Sequence, residues 1–139
     1  MTIPMEFQHA SDDFEAFLRD ACEAAGLMTR NQTYTMVQAV FQTFRRRLEV
    51  REAIQFAGLL PPILRALFVT DWNPDEPTLT FTDRLELTRE VQSLRRHHNF
   101  SPDTAIHDVV VALRRYVDVA AFDQFLTRLQ PGAADFWRT

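Results

Sequence analysis

The second half of this chain repeats its first in register, and that repetition constrains the fold more than composition does. When residues 37–62 are shifted forward by 69 positions onto residues 106–131, 8 of 26 are identical: Val40/Val109, Arg45/Arg114, Arg46/Arg115, Val50/Val119, Gln55/Gln124, Phe56/Phe125, Leu60/Leu129 and Pro62/Pro131. Val37/Ile106, Phe41/Val110, Phe44/Leu113 and Leu48/Val117 stay apolar, and Glu49/Asp118 stays acidic. Two copies of one packing unit would keep this pattern. The expected fold is therefore all-α: one compact helical bundle of two pseudo-symmetric tandem copies, each a helical hairpin plus one or two short helices. Copy one is expected at about 12–70, a linker at about 71–82 and copy two at about 83–137, within one domain spanning 1–139.

The helices are legible from apolar spacing and end signals. Asp12 with Glu15 has capping-box spacing, followed by Phe14, Phe17, Leu18, Ala21 and Ala25 at helical intervals and a stop at Gly26. Asp83 with Glu86 repeats the cap, followed by Leu87, Val91 and Leu94, with Asn99 at the stop. Thr29 with Gln32 opens the second helix, striped by Val37, Val40, Phe41, Phe44 and Leu48; Ser101 and Pro102 open its counterpart, striped by Ile106, Val109, Val110, Leu113 and Val117. Shorter helices are expected at about 51–60 and 120–129, closed by Pro61, Pro62 and Pro131. A further turn or two follows each, through Ile63, Leu64, Leu67 and Phe68 in one copy and Ala133, Phe136 and Trp137 in the other. The linker DWNPDEPTLTFT reads as irregular, with a short extended piece over 78–82.

A chain of 139 residues is long enough to bury roughly two thirds of its unfolded surface around one core. Its twelve phenylalanines, large side chains with much area to bury, point to a well-packed helical interior. The single cysteine, Cys22, excludes an intramolecular disulfide and a multi-thiolate zinc site, and suits a reducing compartment. The amino terminus lacks the basic start and apolar stretch of a secretory signal, so a cytoplasmic location is expected. The longest apolar tract, 53–69, is broken by Gln55, Pro61, Pro62 and Arg65, so no membrane span is expected. A net charge of -4 argues against a dedicated nucleic-acid binder, whose affinity comes mainly from neutralising phosphates.

The candidate sites each have a structural reading beside a functional one. Arg45, Arg46 and Arg47, with Arg95, Arg96, His97 and His98, suggest phosphate binding. At 100 degrees per residue, however, Arg45 and Arg47 flank the apolar face and Arg46 points away from it, so the triplet forms no single basic face. Arginines at a helix carboxyl end also complement the macrodipole. His98 falls on the apolar stripe of the Leu87 helix and could approach Asp103 and His107, which lie four apart as metal ligands often do; Asp103 already suits a first-turn acid. Asp71, Asp75 and Glu76 lack the spacing of a calcium loop. Cys22 sits at the edge of an apolar stripe, and no serine or cysteine has a nucleophile signature. Trp72 and Trp137 suit anchors between the copies, with a docking surface as the alternative; Phe136 beside Trp137 makes this pair the candidate interface.

The run RRRLEVREAIQFAGLLPPILRALFVTDWNP and its echo LRRYVDVAAFDQFLTRLQPGAADFW resemble the bacterial domain-of-unknown-function family numbered 2267. The positions that carry the likeness are Arg45, Arg46, Arg47, Glu52, Ala53, Leu60, Pro61, Leu64, Arg65 and Trp72. The second copy departs from the pattern, with Gln130 before Pro131 and no Leu-Arg pair after it. The resemblance implies a tandem helical repeat and a bacterial origin. The family has no established activity, so it implies no catalytic or binding residue.

Nearly every polar residue is explained by capping, charge complementarity or solvation, and none converges on an obvious pocket. The expectation is a non-enzymatic protein-interaction or self-associating module, with a protein partner or homo-oligomer, no cofactor and no metal. A nucleic-acid-associated protein using the arginine clusters is the alternative, and a metal-dependent enzyme the third reading.

Overall fold

The computed structural model describes residues 2–139, and these form nine α-helices and no strand. A one-turn helix, α1 (Met5–Gln8), precedes α2 (Ala10–Ala25) and α3 (Arg30–Arg45). Two short helices follow, α4 (Val50–Ala57) and α5 (Pro62–Val69). The second half comprises α6 (Arg84–Ser93), α7 (Ala105–Arg114), α8 (Val119–Leu126) and α9 (Ala133–Phe136). The order of two longer helices and then two shorter ones thus occurs twice.

The long helices α2, α3, α6 and α7 make a four-helix layer. Each hairpin partner touches the other, and α2 packs on α7 while α3 packs on α6. Exchanging the hairpins converts the first cross-contact into the second. The short helices close one end, with α5 against α2, α3 and α4, and α8 against α9. Between them lies a core in which Phe17, Phe41, Phe44, Phe56, Phe68, Phe122, Phe136 and Trp137 are fully buried.

Several ends form as their residues dictate. The Thr29 hydroxyl accepts from Gln32 N at 3.1 Å, while Gln32 Oε1 accepts from Thr29 N at 3.3 Å, a reciprocal capping box. Asp83 and Asp118 cap α6 and α8 by accepting from Glu86 N and Ala121 N. Gly26, at φ 66, turns α2 off, and Leu27 N donates back to the Cys22 carbonyl.

Three ends differ from expectation. Asp12 does not cap: α2 starts at Ala10, and the His9 carbonyl already accepts from Asp13 N, so the helical ladder is running when Asp12 is reached. Asp12 and Asp13 instead place negative charge in the first turn. In the second half, α6 stops at Ser93, well before Asn99, and the left-handed residue is Arg95 at φ 51. Asn99 ends the helix through its side chain, whose Nδ2 donates to the carbonyls of Val91 and Leu94 at 2.7 and 2.6 Å. Finally, residues 102–104 form a turn rather than the first helical residues, and α7 begins at Ala105.

The linker has no strand, yet its 78–82 piece is pinned. Leu79 N donates to the Arg46 carbonyl, and Gln130 Nε2 donates to both Arg47 and Leu79 carbonyls. Phe81 there packs on Phe44 and Phe136.

Candidate functional site

The arginine triplet at the end of α3 is consumed by the fold. Arg45, 7% exposed, donates from Nη1 to the carbonyls of Phe68 and Thr70 at 2.8 and 2.9 Å, satisfying groups at the end of α5. Its guanidinium lies 5.9 Å from the Trp72 ring centre, and burial lowers its pKa, with Glu76 opposing the shift. Arg47, 4% exposed, grips Glu90 of α6 with two nitrogens at 2.8 and 3.0 Å and also donates to the carbonyls of Thr43 and Thr80. Arg46 lies 3.5 Å from the same Glu90 carboxylate.

Positions 114, 115 and 116 do the same work in the other half. Arg114 Nε donates to the Trp137 carbonyl at 2.8 Å, at the end of α9, and its two terminal nitrogens hold Asp123. Arg115 reaches Asp20 of α2 at 3.3 Å, and the Tyr116 hydroxyl donates to that same carboxylate at 2.7 Å. Burial and the Asp20 carboxylate push the Tyr116 pKa up to about 12. In both halves the first position ties the fourth helix of its own half, and the next two seize a carboxylate on the first long helix of the other half. Arg45 and Arg47 are therefore buried and committed to contacts within the fold.

The candidate interface pair, Phe136 and Trp137, lies in the core rather than at the surface. Phe136 is 1% and Trp137 0% exposed. Trp137 sits among Phe44, Phe56, Phe122 and Phe136 at centroid distances of 5.3, 5.6, 5.6 and 5.2 Å. Gly132 makes this possible: at φ 101 it turns the chain inward, and a Cβ there would lie 2.5 Å from Phe81 Cβ. Arg84 then holds the Asp135 carbonyl at 2.9 Å and lies over the Phe136 ring. Trp137 Nε1 is buried with no hydrogen-bond partner among the described residues. The internal-anchor reading fits this geometry; an exposed interface of Phe136 and Trp137 does not.

The three proposed metal ligands also separate. His98 lies beyond the end of α6, exposed, and lines one cleft, while Asp103 and His107 line another. Asp103 accepts from Gln92 Nε2 at 3.0 Å rather than capping α7. No group of three or more His, Cys, Asp or Glu side chains among the described residues is placed to hold a metal. Cys22 donates its thiol to the Leu27 carbonyl at 3.2 Å. Asp108, unremarked in the sequence, is buried at the start of α7; it accepts from the Thr104 hydroxyl at 2.6 Å, and burial raises its pKa against that bond.

Several open clefts remain among the described residues, a small one of about 120 Å³ beside Arg45, Arg46, Trp72 and Glu76 and two larger ones among them. The larger, about 570 Å³, runs beside α6, α7 and the carboxyl-terminal segment and carries both signs of charge: Arg84, Arg138 and His107 with Asp103 and Asp135. The other, about 450 Å³, lies between the start of α3 and the α6–α7 connection, where Tyr34 and Thr35 meet Arg95, His98 and Phe100. Both predicted basic clusters border a cleft: Arg45 and Arg46 the small one beside Trp72 and Glu76, and Arg95 and His98 the one of about 450 Å³. The sequence marks Tyr34, Thr35 and Phe100 by nothing beyond an aromatic next to a basic run. Exposed apolar side chains also gather at the amino-terminal segment, where Met5 is 71% and Phe7 47% exposed, with Ile3 beside them.

No helix among the described residues is long and apolar enough to cross a membrane. Comparison with curated proteins finds no match. The model of a family described as "Uncharacterized conserved protein (DUF2267)" matches residues 14–136, spanning both halves and both arginine clusters at the ends of α3 and α7, and the chain belongs to that family.

Proposed function

We propose that the chain is a non-enzymatic helical module that associates with protein, in its simplest form with a second copy of itself. The observation that carries this reading is the amino-terminal segment. Helix α1 buries none of its residues, yet it and the residue before Pro4 present Ile3, Met5 and Phe7 together. Exposed large apolar groups gathered on one element are what association covers. The segment is tethered by α2 and by a 3.8 Å pair between Glu6 and Arg65, which leaves its apolar side chains outward. The terminal aromatics contribute as the core that holds the module rigid, not as the docking surface.

The non-enzymatic reading rests on how the polar groups are used. The buried ionisable ones, Arg45, Arg47 and Asp108, satisfy helix ends, a partner carboxylate and a cap residue. A place in the bacterial cytoplasm is supported by the family resemblance and by Cys22, an unpaired thiol suited to a reducing compartment. Light scattering on the full chain and on a chain lacking residues 2–9 tests the association. Loss of oligomeric mass with retained helical circular dichroism supports it; an unchanged mass contradicts it.

A further inference from the structure

The cleft between α3 and the α6–α7 connection holds a combination that the fold itself does not use. Thr35 is 6% exposed and lines it, and its hydroxyl, which is not shut off from the cleft, makes no hydrogen bond to another described residue. Its neighbour Thr33, by contrast, donates back to the Thr29 carbonyl. Behind it, buried Gln38 receives one long contact of 3.4 Å from Arg95 Nη1. The Thr35 hydroxyl is therefore free to bond a polar group of a ligand that enters the cleft.

The walls and rim narrow the chemistry. Tyr34 and Phe100, the latter 60% exposed, offer two aromatic surfaces. Arg95 and His98 stand at the rim, the first turn of α3 opens toward it, and no acidic residue lines the cleft. Arg95 is also one of only two non-glycine residues among those described with a positive φ, so its backbone accepts strain where its side chain faces the cleft. The larger cleft lacks this selectivity: Asp103 and Asp135 line it, and Arg138 is already paired with Asp135 at 2.7 Å.

We propose that this cleft binds a small planar ligand carrying a phosphate, of the nucleoside monophosphate class. The ring rests against Tyr34 and Phe100, Thr35 takes a polar group of the ligand, and Arg95 with His98 receives the phosphate near the start of α3. Aromatic stacking and charge-assisted hydrogen bonds are the two interactions the cleft can supply. This site is independent of the amino-terminal segment and of the association argued above.

The test is a titration of the full chain with adenosine monophosphate, followed by amide NMR shifts, with adenosine and inorganic phosphate as separate arms. Saturable shifts confined to Thr35, Arg95 and Phe100 and their neighbours are expected, with each separate arm weaker by about tenfold or more. Arg95→Gly retains the left-handed backbone without strain and should weaken binding about tenfold, with a melting midpoint close to that of the parent. Phe100→Ala, at an exposed position, should weaken it by a similar factor. No saturable shift at millimolar nucleotide overturns the proposal. So does phosphate binding as tightly as the nucleotide, or affinity unchanged in both variants.

Discussion

Arg114 donates its Nε–H to the carbonyl of Trp137 at 2.8 Å, closing the end of the last helix from 23 residues away. Arg45 makes the corresponding 2.8 Å bond to Phe68, at the same separation in sequence. The pair of arginines that recurs at an offset of 69 thus recurs with its targets, Phe68 and Trp137, at that same offset. Identity at these positions follows from a structural task, that of supplying donors to buried carbonyls at a helix end. Truncating Arg45 should therefore cost far more than truncating its exposed neighbour. Arg45→Ala is expected to lower stability by about 2–4 kcal/mol, since two carbonyls lose their partner. Arg46→Ala should cost under about 1 kcal/mol, because its 3.5 Å pair is partly solvated. Urea denaturation of the two variants measures both values.

Glu90→Ala should be the more damaging of the two reciprocal carboxylate removals. It leaves Arg47, a buried cation, without its bidentate partner, at an expected cost of about 3 kcal/mol. Asp20→Ala strands a half-buried tyrosine hydroxyl and an exposed arginine, at about 1 kcal/mol. Thermal unfolding ranks them.

The carboxyl-terminal segment is expected to be indispensable for folding. Removing residues 133–139 takes two fully buried aromatics from the centre of the core, each worth about 3–5 kcal/mol when truncated to alanine. That loss approaches the whole stability of a domain. Circular dichroism of the truncated chain should show no cooperative melt, whereas a surface role for Phe136 and Trp137 would leave the melt intact.

Stability should fall steeply in alkali through Tyr116. Its folded pKa, about 12, lies above the ordinary value of 10.0, so the folded state keeps a proton that the unfolded state releases. The contribution is fully present below pH 10 and is lost as the pH rises toward 12. Tyr116→Phe should flatten this part of the profile, as read by denaturation at a series of pH values.

A twofold relation between the halves is expected from the contacts. An experimentally determined structure should superpose α2 to α5 on α6 to α9 by a near-twofold rotation, with Phe44 over Leu113 and Phe56 over Phe125. All four are buried. Different neighbours for the members of either pair would contradict the relation.

What the sequence made legible was local or periodic. The apolar stripes, the Thr29 and Asp83 caps, the Gly26 stop and the proline breaks each act over a few residues, and each appears where its chemistry places it. The outward direction of Arg46 between two inward neighbours also followed from helical angle alone. The terminal aromatics were harder, because their burial depends on the left-handed turn at Gly132 and on Phe81, some fifty residues earlier. Helical spacing puts His98 on the Leu87 stripe, whereas α6 stops at Ser93 and Asn99 bonds its end carbonyls through the side chain. The cleft was invisible for a related reason: Thr35 and Phe100 lie on separate elements, and only the packing of α3 on α6 brings them together.

Sedimentation velocity over a wide concentration range, comparing the full chain with a Met5→Ser, Phe7→Ser double variant, tests the association most directly. Both substitutions lie on exposed side chains and should leave the helical fold unchanged. Self-association through the amino-terminal segment predicts a concentration-dependent shift to a dimer or larger species in the full chain and a monomer in the variant. A full chain that stays monomeric at the highest concentration, or a variant that associates as strongly as its parent, would contradict it.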